Sequence, residues 1–162
     1  MIRPATSQDI EALTALMNDV ICNTTITVTS VEKSLQDVAQ MIRDRRALGF
    51  DVLVAYEDDS FLGYATYAQF RPSPGYSRTM EHSIALTPEA RGRGTGRALM
   101  AAIETHATRF GAHVMIGAIT SDNVASLDFH KRLGYEQVGF LPQVGYKFGR
   151  YHDLVLMQKI LS

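Results

Sequence analysis

Apolar positions along this chain recur with two different periods, and the changes of period mark the boundaries between helices and strands. Spacings of three and four residues, typical of an amphipathic helix, connect Ile10, Leu13, Leu16, Met17 and Val20. They predict a first helix that ends near residue 20. Ser30 is placed to cap a second helix over residues 31–48, and Gly49 is placed to end it. Residues 98–110 and 123–133 are predicted to form two more helices, each followed by a glycine.

Strand-like segments alternate with these helices. They are rich in β-branched and aromatic residues and cover residues 2–5, 51–56, 61–70, 78–86, 113–119, 135–141 and 151–160. The near-continuous apolar run over residues 113–119 is typical of a strand buried on both faces, as in a parallel pair. Residues 142–150 are interpreted as a glycine-broken arm. The order β-α-α-β-β-β-α-β-α-β-β predicts one α/β (α+β) domain over residues 1–162, with a mixed sheet of about seven strands flanked on both faces by about four helices.

The composition fits one soluble domain and argues against several classes of partner. The 162 residues carry a formal net charge of -1, which gives no overall attraction to nucleic acid or to an anionic membrane surface. No apolar run approaches the length of a membrane span, and the N-terminus lacks the apolar core of a signal peptide. A single cysteine, Cys22, excludes a disulfide framework. We therefore expect a cytoplasmic protein with a small-molecule ligand, and we predict no metal site.

The stretch Arg91-Gly92-Arg93-Gly94-Thr95-Gly96-Arg97 joins a predicted strand to a predicted helix. Its glycines leave backbone N–H groups accessible at a helix N-terminus, where the dipole favours negative charge. The spacing differs from the P-loop, which ends in Gly-Lys-Ser/Thr, and from the dinucleotide-binding pattern G-x-G-x-x-G. Taken alone, the stretch is either a polyphosphate cradle or a surface turn with solvated arginines.

Two motifs, in the same order along the chain, resemble those of the GCN5-related N-acetyltransferase (GNAT) superfamily. The first is Arg91-x-x-Gly94-x-Gly96, which is similar to the acyl-CoA-binding motif whose backbone amides bind the pyrophosphate of coenzyme A. The second comprises Asn123, Ser126 and Phe129, followed by Leu133-Gly134-Tyr135. Further stretches along the whole chain, including Glu81-His82-Ser83, resemble the phosphinothricin/methionine sulfoximine N-acetyltransferase branch.

The resemblance implies the GNAT fold, acetyl-CoA as acetyl donor, and a homodimer. The residues expected to bind the donor are Ile84, Ala85, Leu86, Arg91, Gly92, Arg93, Gly94, Thr95, Gly96, Arg97, Asn123 and Arg132. The strand is expected to splay near residues 84–86, where its main chain would pair with the pantetheine arm and supply donors to the oxyanion. Arg132 is alternatively a plain surface arginine.

Glu81 is the candidate general base. Strand alternation places Glu81 and Ser83 on one face and His82 on the other. A carboxylate in the middle of a central strand needs a partner or a wet cleft, and partial burial would raise its pKa. In the branch that the chain resembles, this glutamate is the base, directly or through water. The alternative is a structural ion pair, for example with Arg78.

His130 is the candidate for protonating the departing thiolate. It takes the position where many members of the superfamily carry a tyrosine acid, and a histidine titrates near neutral pH. The alternative is a histidine that only packs. Tyr135 is a weaker second candidate, and His82 is either a core or interface residue or part of the site.

The acceptor is expected to carry a carboxylate, because Arg71 stands at a strand end and is suited to bidentate binding. The predicted acceptor contacts are Arg71, Pro72, Ser73, Glu81, His82 and Ser83. Residues 23–25 are expected to roof the pocket. The side chains interpreted as solvated are Arg43, Arg45, Arg46 and Lys147.

These residues predict an acetyl-CoA-dependent N-acetyltransferase that acts on the α-amine of a small amino acid analogue. Methionine sulfoximine, methionine sulfone and phosphinothricin are the implied class, which would give a role in detoxification and in antibiotic or herbicide resistance. The alternatives are acetylation of a peptide N-terminus or a polyamine, and a catalytically silent acyl-CoA sensor.

Overall fold

Seven strands and four helices make up most of the chain, and the computed structural model describes all residues from Met1 to Ser162. The strands are β1 (Ile2–Pro4), β2 (Val52–Glu57), β3 (Ser60–Gln69), β4 (Thr79–Leu86), β5 (Val114–Thr120), β6 (Glu136–Lys147) and β7 (Arg150–Ile160). The helices are α1 (Ile10–Asn23), α2 (Leu35–Ala47), α3 (Thr95–Arg109) and α4 (Val124–Arg132). Single 3-10 turns lie at Ser7–Asp9, Pro74–Tyr76 and Pro88–Ala90.

All strands belong to one sheet with the order β1-β2-β3-β4-β5-β7-β6. Every neighbouring pair is antiparallel except β4 and β5, which run parallel because α3 forms the crossover between them. Their ladder covers only three positions, from Thr79 opposite Val114 to Glu81 opposite Ile116. Beyond Glu81, β4 remains paired with β3 and β5 with β7, so the sheet opens between its two central strands.

Helices cover both faces of the sheet, as the sequence predicts. On one face, Leu99, Met100 and Ile103 of α3 pack fully buried against Met80 and Met115. On the other face, a second cluster joins apolar residues of α1 and α2 to those of β2, chiefly Leu13, Met17, Val38, Val52 and Val54. Each such side chain contributes roughly 1.5–3 kcal/mol relative to an exposed one. The predicted order of elements and the mixed α/β architecture are thereby confirmed.

The start of α2 was predicted four residues too early. Ser34 caps this helix: its Oγ accepts from the N–H of Asp37 at 3.1 Å, and the Asp37 carboxylate accepts from the N–H of Ser34 at 2.7 Å. This reciprocal capping box satisfies two free donors, which Ser30 cannot do because Lys33 stands at the third position after it. Leu35 and Leu48, at the two ends of this helix, are exposed, whereas Val38 and Ile42 are buried.

The region interpreted as a glycine-broken arm is largely strand. β6 continues to Lys147 and pairs with β7, with irregularities between Gln137 and Gly139 and between Leu141 and Gly145. An edge strand tolerates Pro142 because its open side needs no N–H donor. No helix of the chain is both long and apolar enough to cross a membrane.

Candidate active site

A cavity of about 500 Å³ lies where β4 and β5 separate. Because the two strands are apart there, residues from both faces of the sheet line the cavity. Glu81, Ser83 and Ala85 of β4 line it on the face covered by α1 and α2, and His82 and His130 line it on the α3 face. Apolar side chains of α1, of α2 and of the loop between them also line the cavity, among them Met17, Val20, Ile21, Met41 and Val28.

Glu81 is half-buried in this cavity and makes no ion pair, so the structural pairing with Arg78 that the sequence allowed does not occur. Burial raises the pKa of its carboxyl group. A carboxylate with a raised pKa and an open approach has the properties that a general base needs near neutral pH.

His82 and His130 form a buried pair on the opposite face of β4. Their ring planes are 10° apart and the rings meet edge to edge, with the two Nε2 atoms 3.1 Å apart. The rings fit because Gly117 of β5 has no side chain: a Cβ there would lie 3.0 Å from His82 Nε2 and 3.3 Å from His130 Nε2. The alternation that separated His82 from Glu81 was therefore correct, but the open sheet brings both to one cavity.

The hydrogen bonds assign the protons of this pair. Nδ1 of His130 is 2.7 Å from the carbonyl oxygen of Ser126, so Nδ1 carries the proton, and Nε2 is then an acceptor. The Nε2 of His82 must donate to it, which leaves Nδ1 of His82 as a buried acceptor without a partner. Burial, and secondly the neighbouring His130, lower the pKa of His82 to about 3, and burial also lowers the pKa of His130. Both rings are neutral at pH 7.

Tyr135, the second candidate for a proton donor, does not line the cavity. Its hydroxyl donates to the Glu104 carboxylate at 2.9 Å, and Lys159 bonds the other oxygen of that carboxylate at 2.7 Å. Burial and the adjacent Glu104 raise the pKa of Tyr135 far above its usual range. The tyrosine hydroxyl therefore belongs to a structural network with Glu104 and Lys159, while its ring packs edge-on against His82 and His130.

The Gly-rich stretch forms the turn that leads into α3. Gly92 and Gly94 have φ values of 73° and 85°, which favour glycine, and the first helical bond runs from the N–H of Ala98 to the carbonyl of Gly94. The N–H groups of residues 95–97 thus have no acceptor within the helix and lie at its positive end. Helix α3 begins three residues earlier than predicted, which brings Thr95 and Gly96 into its first turn.

The other residues predicted to bind acetyl-CoA differ in their surroundings. Ile84 and Ala85 line the cavity, and Leu86 packs instead against Gly96, whose missing Cβ allows the contact. Asn123 also lines the cavity and caps α4 by accepting from the N–H of Ser126 at 3.3 Å. Arg93 pairs with Glu57 at 2.6 Å, whereas Arg91, Arg97 and Arg132 are exposed and make no ion pair.

The family model of the acetyltransferase (GNAT) domain matches residues 2–156. The chain belongs to the GNAT acetyltransferase family. An L-methionine sulfoximine/L-methionine sulfone acetyltransferase of Pseudomonas aeruginosa is 40% identical to it over 97% of this chain and 92% of that protein. A GNAT phosphinothricin acetyltransferase from Sinorhizobium meliloti, solved with acetyl-CoA, is 31% identical and superposes with a TM-score of 0.94 over 100% of this chain and 88% of that one.

Another solved relative has a different kind of acceptor in its name. A ribosomal-protein-alanine N-acetyltransferase from Brucella melitensis is 41% identical and superposes with a TM-score of 0.95 over 99% of both chains. Similarity therefore establishes the family and the N-acetyltransferase reaction, and the acceptor has to be argued from the cavity of this GNAT acetyltransferase.

Three of the predicted acceptor contacts lie outside that cavity. Arg71, Pro72 and Ser73 are exposed, and the Arg71 guanidinium stands 5.2 Å from the ring centre of Tyr76. Their contact with the acceptor stays a prediction. No group of three His, Cys, Asp or Glu side chains is placed to hold a metal ion.

Two basic side chains of this acetyltransferase that were predicted to be solvated are instead partly or fully buried. Arg45 lines the cavity from α2 with its Nε buried. Lys147 is 3% exposed and donates from Nζ to the carbonyl oxygens of Thr24 and Thr27, at 2.6 and 2.8 Å. It thereby fixes the loop whose residues 26–29 line the cavity, just beyond the roof predicted at residues 23–25. Nothing in the local sequence marks either residue, because each acquires its role from contacts far along the chain.

Proposed function

We propose that this GNAT acetyltransferase transfers the acetyl group of acetyl-CoA to the α-amine of a small amino acid analogue of the methionine sulfoximine, methionine sulfone or phosphinothricin class. The observation that carries the proposal is the cavity at the open seam of the sheet. It combines an unpaired, half-buried glutamate with apolar side chains of α1, of α2 and of the loop between them. The names of the relatives support the same acceptor class.

The donor is proposed to lie along the seam between β4 and β5. The free N–H groups at the start of α3 suit a pyrophosphate, and Arg91 and Arg97 add unpaired positive charge near it. The unpaired edges of β4 and β5 suit an extended arm that carries amides. When bound, acetyl-CoA supplies the thioester from which the acetyl group is transferred.

Glu81 is proposed to take a proton from the acceptor ammonium, directly or through a water, so that the amine nitrogen can attack the thioester carbon. As the C–N bond forms, N–H groups near residues 84–86 would stabilise the carbonyl oxygen. The C–S bond then breaks and the thiolate leaves. Burial raises the pKa of Glu81, and activity should increase with pH as Glu81 loses its proton.

The proposed part of His130 is to return a proton to the sulfur. In the resting pair neither ring has a free N–H, so the pair must first accept a second proton. The attacking nitrogen provides one, because an ammonium group loses two protons on becoming an amide. One leaves through Glu81 to solvent, and the other passes through the histidine pair to the thiolate, which balances the reaction.

The charges in the cavity weigh against the alternatives. Lys33, Arg45 and Glu81 are its charged side chains, since both histidines are neutral, so a polyamine would meet two cations and only one carboxylate. A silent sensor would not need an unpaired glutamate with a raised pKa beside the seam. A peptide N-terminus has an amide where a free amino acid has a carboxylate, and an amide does not neutralise the two cations.

A thiol-release screen tests the proposed function. Acetyl-CoA would be offered with free amino acids and their sulfone, sulfoximine and phosphinic analogues, with peptides that begin with alanine, and with polyamines. We expect the analogues to give the highest kcat/KM. Equal or higher values for the peptides or the polyamines would overturn this choice of acceptor.

We also propose a homodimer in the cytoplasm. An exposed set of apolar side chains on the β6–β7 hairpin supports the dimer, namely Val138, Phe140, Val144, Tyr146, Phe148 and Tyr151. The free, exposed thiol of Cys22 supports a reducing compartment. Light scattering after size-exclusion chromatography would test the dimer, and charged substitutions at Phe140 and Tyr146 should shift it to monomer.

A further inference from the structure

Arg45 reaches the cavity from α2. The helix lies on the face of the sheet that carries Glu81, and Arg45 shares the cavity wall with Tyr64 and Thr66 of β3. Those two residues stand opposite Ala85 and Ser83 in the β3–β4 ladder, on the same face as Glu81. The guanidinium group and the proposed base therefore lie over one side of the same two strands.

None of the N–H donors of Arg45 has an acceptor in the protein. Its Nε is buried without a hydrogen bond, and no carboxylate lies within ion-pair distance of the group. Its neighbours on α2 differ: Arg46 bonds Asp51 and the carbonyl of Ala5, and Arg43 bonds Gln40. The other arginines that lack a partner are all exposed, where water satisfies them.

A buried donor without an acceptor costs free energy, so its presence in a functional cavity calls for a ligand that completes it. Burial also lowers the pKa of Arg45, although an arginine remains charged at any physiological pH. The planar guanidinium presents parallel N–H groups whose spacing matches the two oxygens of a carboxylate. Lys33, the other cation of the wall, offers a point charge without that geometry.

We propose that Arg45 binds the α-carboxylate of the acceptor and thereby holds its α-amine toward Glu81. The inference rests on the proposed function and names the group by which this cavity selects its acceptor. A free amino acid or analogue has one anionic and one cationic group on the same carbon, which suits a wall with Arg45 on α2 and Glu81 on β4. A peptide N-terminus or an amino acid amide lacks the anionic group and leaves the guanidinium unpaired.

The assignment differs from the one that the sequence favoured. Arg71 was selected for the same task because of its place at a strand end, but its side chain is exposed beside Tyr76 and does not line the cavity. The two assignments therefore differ in which variant, one at Arg45 or one at Arg71, should lose the preference of the enzyme for an acid over its amide.

The experiment compares methionine sulfone with methionine sulfone amide in wild type, Arg45→Gln and Arg45→Lys. Arg43→Gln is the matched control, because Arg43 lies on the same helix, is exposed and bonds only Gln40. Loss of a charged hydrogen-bonded contact of about 1.5–3 kcal/mol should raise the KM for the acid roughly 10- to 150-fold in Arg45→Gln. The KM for the amide should stay within about threefold, and Arg45→Lys should fall between wild type and Arg45→Gln.

Two results would overturn the proposal: an unchanged KM for the acid in Arg45→Gln, or an equal rise for acid and amide. Binding of acetyl-CoA and the thermal unfolding midpoint, measured for every variant, identify a general loss of structure. If Arg71→Ala removes the preference for the acid and Arg45→Gln keeps it, the carboxylate belongs to Arg71.

A binding measurement separates this inference from the proposed function. Methionine sulfone would be titrated into the CoA-loaded enzyme by calorimetry. If wild type turns over neither compound, the proposed function fails, but binding that is lost in Arg45→Gln and kept in Arg43→Gln still supports a carboxylate site at Arg45. Absence of binding to wild type would overturn both.

Discussion

Two clusters of ionisable groups, one at the N-terminal edge of the sheet and one at its open seam, differ in whether their polar atoms have partners within the protein. At the N-terminal edge, the Asp9 carboxylate is 1% exposed and accepts two bonds from Arg3, two from Thr6 and one from Tyr56, at 2.6–3.0 Å. At the seam, Glu81 makes no ion pair, and Arg45 Nε and His82 Nδ1 are buried without partners. The third such atom in the chain, Thr87 Oγ1, directly follows β4.

The polar groups around Asp9 stabilise the fold, whereas those at the seam do not. Arg3 and the Thr6 and Tyr56 donors hold the pKa of Asp9 well below its ordinary value, so its charge stabilises the folded state. Burial of Glu81 has the opposite effect, and its charge destabilises the fold. Groups with perturbed pKa values or without partners are concentrated at functional sites, which supports the role proposed for the seam.

Glu81→Gln should produce the largest change. Without the base, kcat/KM for the acceptor should fall about 10²- to 10⁴-fold in the thiol-release assay, while acetyl-CoA binding is kept. Because the folded state raises the pKa of Glu81, removing its charge should also increase the free energy of unfolding at pH 8. A fall of less than tenfold in kcat/KM would remove Glu81 from the role of base.

Asp9→Asn should have the reverse profile. It removes one partner of a buried ion pair, so the free energy of unfolding should fall by about 3–5 kcal/mol in urea titrations at pH 7. The kcat/KM of the remaining folded enzyme should match wild type. Asp59→Asn, in the exposed β2–β3 turn, is the control and should leave both quantities unchanged. A large loss of kcat/KM in folded Asp9→Asn enzyme would contradict the division between the two clusters.

Lys147→Met should affect acceptor binding less than Glu81→Gln affects catalysis, because the lysine has its hydrogen-bond partners and lies beside the cavity. Losing its bonds to Thr24 and Thr27 leaves two carbonyl groups without a donor and loosens residues 26–29. We expect the KM for the acceptor to rise about tenfold, which corresponds to about 1.4 kcal/mol, with little change in kcat. Lys131→Met, on the exposed side of α4, is the matched control. An unchanged KM would show that the loop keeps its shape without the lysine.

The remaining prediction concerns the dependence of stability on pH. His82 and His130 have pKa values below the ordinary 6.5, so their contribution to stability is complete above pH 6.5 and decreases as the pH falls below it. The slope is about 1.4 kcal/mol per pH unit for each proton taken up. Asp9 contributes no slope until the pH approaches its ordinary pKa of 3.8.

The measurement is best made in Glu81→Gln, because the raised pKa of Glu81 gives a slope of opposite sign in the same range. Adding His82→Gln should flatten the dependence of the free energy of unfolding between pH 6.5 and 4.5. The same slope in both backgrounds would mean that the pair is not held neutral as inferred from its hydrogen bonds.

The sequence predicts most of this fold because periodic patterns and glycine stops are local signals. The parallel placement of β5 followed from its apolar run at residues 113–119. The start of α2 was wrong because two serines compete for the cap, and only Ser34 has an aspartate three residues later. The extent of β6 was wrong because an edge strand admits proline and glycine, which ordinarily signal the end of a strand.

The candidate site could be predicted only in part. Glu81 and His130 were selected from a motif, and the structure brings them to one cavity. The contact of His82 with His130 depends on Gly117, and the burial of Arg45 depends on how α2 packs over β3. Such contacts join residues far apart in the chain, and no pattern in one segment records them. The same limit explains the choice of Arg71, whose sequence surroundings suit a carboxylate although its side chain faces solvent.

The three-residue ladder between β4 and β5 also has a mechanical meaning. It joins two antiparallel halves of the sheet, one made of β1 to β4 and the other of β5, β7 and β6. The ladder pairs far fewer residues than the ladders within either half. An acetyl-CoA molecule bound along the seam would form hydrogen bonds with the unpaired edges of β4 and β5. While bound, it would help to hold the two halves of the sheet together. Linkage then requires that the donor raise the stability of the join by RT ln(1 + [L]/Kd), about 2.7 kcal/mol at one hundred times Kd. We therefore expect the enzyme without acetyl-CoA to be the less stable form, with the gain in stability on binding located between β4 and β5.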